Sequence, residues 1–88
     1  MTDIQIKFYG ALWCADCRRS KYFLDSNEIA YDFIDTDLDA DGAAIVKQLN
    51  GGRRVIPTIV FPDGSFVTEP ANSELTAKLV EAGFMTLA

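Results

Sequence analysis

The chain has 88 residues, 49% of them hydrophobic, and a formal net charge of −5 with no histidine. That is enough for one packed domain over 1–88 without cross-links and too little for two. The acidic balance argues against a nucleic-acid surface, and the absence of histidine removes Ser-His-Asp, Cys-His and histidine-ligated metal chemistry together. No apolar run approaches the ~20 residues of a membrane span, and Met1-Thr2-Asp3 lacks the basic, apolar pattern of a signal peptide. The expectation is a cytoplasmic protein, a setting in which paired cysteines are more often catalytic than structural.

Residues 4–9 alternate, with Ile4, Ile6 and Phe8 apolar ahead of Gly10, as in a strand with one face on the core. Trp13-Cys14-Ala15-Asp16-Cys17-Arg18-Arg19 follows and holds the only two cysteines, spaced C-x-x-C. From residue 17 to about 25 the pattern is helical, with Ser20, Phe23 and Leu24 on one face and Arg18, Arg19 and Lys21 outward. Asn27 and Glu28 end that helix, and residues 30–35 read as a second strand. Asp35, Asp37, Asp39 and Asp41 come next. Their spacing suggests a calcium loop, but the required Gly and Glu are out of register. The preferred reading is a strand-to-helix loop whose carboxylates favour the following helix N-terminus.

A second helix is expected over 42–50, with Ala44, Ile45, Val46 and Leu49 as its apolar positions, stopped by Asn50-Gly51-Gly52. Val55, Ile56 and Pro57 lead into a strand over 58–61. Pro62-Asp63-Gly64 supplies a turn, and residues 65–68 return as the hairpin partner. Pro70-Ala71-Asn72-Ser73 offers N-cap residues for a last helix that buries Leu75, Leu79 and Val80 and ends at Gly83. The order is strand, helix, strand, helix, strand, strand, helix. The first two strands should pair in parallel through a right-handed crossover. The hairpin completes a four-stranded mixed sheet with helices on both faces, the first and third sharing one.

A strand that delivers C-x-x-C to the first turn of a helix makes a reactive thiol. Backbone N–H groups there lack partners and favour a thiolate, the nucleophile of disulfide exchange. Cys14 therefore reads as the nucleophile and Cys17, one turn further in, as the resolving thiol. Structural zinc needs four ligands, which only a dimer of this chain could supply. A static disulfide here closes a very short loop and is a minor staple. Two inert buried thiols leave the strand-then-helix setting without a purpose.

Trp13-Cys14-Ala15-Asp16-Cys17 after a strand, with Val55-Ile56-Pro57-Thr58 ahead of a hairpin, resembles the glutaredoxin branch of the thioredoxin superfamily across nearly the whole chain. Trp13, Arg53-Arg54-Val55-Ile56-Pro57-Thr58 and Phe61-Pro62-Asp63-Gly64 are most similar to actinobacterial mycoredoxin-type proteins. The resemblance implies an α/β, thioredoxin-like (glutaredoxin) fold. It also implies a cis Pro57 packed beside the cysteines, with the Ile56 backbone presented to an extended substrate. Trp13 would flank the nucleophile as a flat surface. Taken alone, Pro57 reads equally as the start of an edge strand, and a lone tryptophan as a core residue. Lys7, Arg53 and Arg54 are candidates for binding a substrate carboxylate, with simple solvation as the alternative. Asn72 and Ser73 could donate to a carboxylate at the last helix N-terminus.

Two departures bear on the partner. Glutathione-using glutaredoxins carry a Gly-Gly and an acidic residue just before the last helix, where this chain has Thr68-Glu69-Pro70-Ala71-Asn72-Ser73. Mycothiol, or a protein reductase as in redoxins serving ribonucleotide reductase, therefore stands beside glutathione. Asp16 occupies a position where Tyr or Phe is common; its charge disfavours a thiolate on Cys14, and Arg18, Arg19 and Lys7 act oppositely. The expected protein is a monomeric thiol–disulfide oxidoreductase acting on mixed or protein disulfides. It would have no tightly bound cofactor and no metal, a low-molecular-weight thiol (mycothiol or glutathione) as co-substrate, and a flavin-dependent reductase upstream. The rival reading is a dimer bridged by a [2Fe–2S] cluster through thiolate ligands.

Overall fold

The computed structural model describes residues 5–86, so Ile4 of the expected first strand lies outside the described residues. The elements are β1 (Ile6–Gly10), α1 (Ala15–Ser26), β2 (Tyr31–Asp35), α2 (Ala40–Leu49), β3 (Thr58–Val60), β4 (Phe66–Thr68) and α3 (Asn72–Glu81). They form one four-stranded sheet in the order β2-β1-β3-β4. β1 is parallel to β2, with Phe8 opposite Phe33, and antiparallel to β3, with Phe8 opposite Ile59. This is the mixed sheet the residue pattern predicts, in the thioredoxin-like fold the resemblance implies.

Strand alternation sends Ile6 and Phe8 to one face, where both are wholly buried with Cys17 and Leu24 of α1, Ile59 of β3, and Leu75 and Leu79 of α3. α1 and α3 thus share that face, as their apolar stripes require. Gly10 continues it: a β-carbon there would lie 2.9 Å from both Cys17 Sγ and Phe8 Cε1. The other face carries Tyr9 and receives α2. A β-carbon on Gly42 would meet Ile34 Cγ2 at 2.7 Å, so the missing side chain is what lets α2 lie close to the sheet.

Several boundaries differ from the expected ones. α1 begins at Ala15, two residues early, because Cys14 serves as its N-cap. α2 begins at Ala40 because Asp39 caps it, its Oδ1 accepting from the Gly42 N–H at 3.0 Å. Its inner face is built on Gly42 and Val46, whereas Ala44 and Ile45 face outward. A glycine adds nothing to a hydropathy pattern, so the apolar positions alone do not mark this face. β3 and β4 are shorter than expected, and the hairpin closes through Phe61 N–H to Ser65 O at 2.8 Å. α3 has Ala71 at its N-cap; the Glu74 carboxylate accepts from the Ala71 N–H at 2.8 Å, and Asn72 and Ser73 fall in the first turn.

Asn50 does more than stop α2. Its Nδ2 donates to Val46 O at 2.8 Å and Thr58 Oγ1 at 3.2 Å, and its Oδ1 accepts from Thr68 Oγ1 at 2.9 Å. One amide thereby ties the end of α2 to β3 and β4.

Candidate active site

β1 runs to the middle of the sheet's upper edge and hands the chain to α1 through Ala11, Leu12 and Trp13. The Cys14 N–H donates to Ala11 O at 3.3 Å, and Cys14 O accepts from the Arg18 N–H at 3.0 Å. Cys14 is extended (φ −82°, ψ 119°), and its Sγ accepts from the Cys17 N–H at 3.2 Å. The sulfur therefore takes the place a Ser or Asp oxygen holds at other helix starts, with an otherwise unpaired helix N–H pointing at it. Both cysteines are free thiols.

Cys17 is only 1% exposed. Burial, followed by its contact with the Cys14 side chain, pushes its thiol up to about 12. The two sulfurs therefore stand in unlike surroundings: one half-buried at the helix tip, the other in the core.

The Ile56–Pro57 peptide bond is cis, as the resemblance implies. Pro57 is buried, and Ile56 lines a groove of ≈ 320 Å³ beside Cys14. Trp13, Cys14 and Asp16 line this groove from the cysteine side, Arg53, Arg54, Val55 and Ile56 from the proline side, and Glu69 joins them. Among the described residues no hydrogen bond takes the Ile56 N–H or C=O, which leaves both open to an extended ligand. Pro57 O, one residue on, is taken by the Glu69 N–H at 2.8 Å. Glu69 holds φ 47°, a left-handed conformation that turns the chain from β4 toward α3.

Trp13 is 67% exposed, so it is a surface residue and not part of the core. Its Nε1 donates to Asp37 Oδ2 at 2.6 Å. Arg54 pairs with the other oxygen of Asp37 and donates to Thr36 Oγ1 at 2.8 Å. The Arg54 guanidinium, and after it the Trp13 indole, hold the Asp37 carboxyl below its ordinary value. Asp16 is paired with Arg19 at 2.9 Å, and Arg19 also donates to Pro70 O at 3.1 Å, fastening the start of α1 to the approach of α3. The carboxylate between the cysteines thus has its own counter-ion.

Of the residues singled out from sequence, Trp13, Cys14, Arg53, Arg54 and Ile56 converge on the groove, with Cys17 and Pro57 buried beneath. Lys7 does not join them; it pairs with Asp32 of β2 at 3.7 Å, its neighbour across the parallel ladder. Asn72 and Ser73 are exposed in the first turn of α3 and lie outside the groove lining. Asp37, Thr36, Val55 and Glu69 were not anticipated. Asp37 sits in a row of four alternating aspartates, and nothing local marks it out. Its part is set by a contact 24 positions away. Among the described residues no three His, Cys, Asp or Glu side chains gather as a metal site, and no helix is long and apolar enough to cross a membrane.

A cysteine pair at a helix tip, beside a cis-proline loop and above a mixed sheet of this order, defines a thioredoxin-like redox domain. The family model for glutaredoxin matches residues 6–67. The chain is 41% identical over 81 residues to a Mycobacterium tuberculosis protein named as a glutaredoxin, across 92% of this chain and 96% of that one. It is 38% identical over 74 residues to mycoredoxin 1 of Corynebacterium glutamicum, across 84% and 91% of the two chains. The crystal structure of a thioredoxin-like protein matches with a TM-score of 0.69 at 29% identity, over 83% of this chain and 97% of the other. The chain belongs to the glutaredoxin family and is a thiol–disulfide oxidoreductase.

Proposed function

We propose that this glutaredoxin releases proteins from mixed disulfides with a low-molecular-weight thiol, that Cys14 is the nucleophile, and that mycothiol is that thiol in preference to glutathione. The observation that carries the reading is the contrast between the two sulfurs. Cys14 Sγ stands at the helix tip with the Cys17 N–H aimed at it, whereas the Cys17 thiol is buried and holds its proton to about pH 12. Thiolate attacks and thiol does not, so the accessible sulfur acts first.

Cys14 thiolate attacks the small thiol's sulfur in the mixed disulfide. The bond to the protein sulfur breaks, and the protein leaves as a thiolate that takes a proton from water. A second molecule of small thiol, as thiolate, then attacks the same sulfur on Cys14. It forms the symmetrical small disulfide and returns Cys14 to thiolate. In sum, one mixed disulfide and one small thiol become one protein thiol and one symmetrical small disulfide. A flavin-dependent reductase restores the small thiol, and the enzyme acts as a cytoplasmic monomer. Cys17 can clear Cys14 only by surrendering its proton in a dry site, so it is the slower route.

Support for mycothiol comes from the 38% identity to mycoredoxin 1 and from the segment 68–73, which carries no Gly-Gly. The test uses Cys17→Ser, reduced and then offered mycothiol disulfide and glutathione disulfide. Intact-mass analysis should show one adduct on Cys14, forming faster with mycothiol. Faster reaction with glutathione would overturn the choice of thiol, and no adduct with either would point to a protein reductase.

A further inference from the structure

Two arginines line the groove beside Cys14, and only one has an unpaired guanidinium. Arg54 is joined to Asp37 and Thr36. Thr36 is fixed in turn: its N–H donates to Gly10 O at 2.9 Å and its hydroxyl to the same oxygen at 3.3 Å. The second Asp37 oxygen takes the Trp13 indole N–H at 2.6 Å. One carboxylate therefore spans the two sides of the groove, Trp13 on the cysteine side and Arg54 on the proline side. By contrast, neither the Arg53 nor the Glu69 side chain has a hydrogen-bond or ion-pair partner among the described residues. Asp16 is neutralised by Arg19. With the paired charges cancelled, Arg53 and Glu69 balance, and apart from Cys14 itself the groove presents no net charge to a ligand.

We infer that Asp37 is a positioning and specificity-determining residue of the redox site: it holds Trp13 at the groove and withholds the charge of Arg54, so that uncharged disulfides are favoured over anionic ones. The inference rests on Cys14 being the nucleophile. It needs no new chemistry, because an arginine already tied to a carboxylate offers a weaker field to a second anion than a free one does. The aspartate is exposed, so the effect is modest and weakens as salt screens it.

Trp13 is the chain's only tryptophan, so its indole N–H gives a single cross-peak in a proton–nitrogen correlation spectrum. In Asp37→Ala that peak should move and its proton should exchange faster with water. In Asp37→Asn, which keeps an oxygen for the indole but not the charge, it should stay nearer its original place. Both variants should then be assayed with hydroxyethyl disulfide, which is neutral, and 3,3′-dithiodipropionate, which is a dianion. Freeing Arg54 should lower KM for the dianion by roughly two- to fivefold, the size of one exposed charge pair. The KM for the neutral disulfide should not fall. An indole peak that stays put in Asp37→Ala would overturn the positioning role, and an unchanged ratio of the two KM values would overturn the specificity role. If the unaltered protein reduces neither disulfide, it is the reading of Cys14 that fails, while the indole peak still decides the positioning role.

Discussion

The Cys17 backbone donates to the Cys14 sulfur at 3.2 Å while the Cys17 side chain is shut in the core at 1% exposure. One residue thus offers its N–H to the helix-tip sulfur and keeps its own thiol buried. Cys14→Ser should lose disulfide exchange with small thiols entirely, since a hydroxyl does not replace a thiolate. Cys17→Ser should retain turnover with small thiols within about an order of magnitude, because its N–H remains in place. A coupled thiol–disulfide assay on both variants checks this; loss of all activity in Cys17→Ser would mean a dithiol mechanism.

Burial of Cys17 also makes stability depend on pH. Its folded thiol titrates near 12, above the ordinary value of 9.0, so the folded chain keeps a proton that the unfolded chain gives up. The contribution is fully present below about pH 9 and is lost as pH rises toward 12, by up to ~1.4 kcal/mol per pH unit for each such proton. Tyr9 and Tyr31, both raised chiefly by burial, add in the same direction. Urea midpoints should therefore fall between pH 8 and pH 11, and Cys17→Ser should show a shallower fall.

Gly10 sets how closely α1 approaches the sheet. Gly10→Ala would press a methyl group against Cys17 Sγ and Phe8 Cε1, each at 2.9 Å and each buried. A loss of about 1–3 kcal/mol is expected for this kind of overpacking. Urea unfolding measures that loss, and faster alkylation of Cys17 in the folded variant would show that the start of α1 has been lifted.

The Asn50 amide links α2, β3 and β4. Asn50→Ala removes three hydrogen bonds and leaves Thr58, wholly buried, with one partner fewer. The cost should be about 1–3 kcal/mol, the penalty of unsatisfied buried polar groups, read from thermal or urea unfolding. Asn50→Asp keeps an acceptor for Thr68 but loses the Nδ2 donor, and should fall between the two.

Much of the fold was legible in the sequence. Period-two runs gave β1 and β2, period-3.6 runs gave the helices, and Pro62-Asp63-Gly64 gave the hairpin turn. The cysteine pair and Pro57 were legible because their spacing and neighbours are chemically specific. What escaped was long-range. Lys7 looked available until β2 placed Asp32 beside it, and Asp37 looked like one of four equal carboxylates until Trp13 and Arg54 met on it. Gly42 carried no hydropathy, yet it defines the inner face of α2. Asn50 read as a helix stop, and its amide proved to be a tertiary link.

The sheet order has a consequence for the chain as it is made. β1 and α1 bring both thiols early, whereas the core around Cys17 is completed by Ile59, Leu75 and Leu79 from β3 and α3 at the other end of the sequence. On a ribosome, where the N-terminal half emerges first, Cys17 is uncovered until the last helix arrives. The finished enzyme keeps its second sulfur out of reach, but the nascent one offers two open thiols to any passing oxidant.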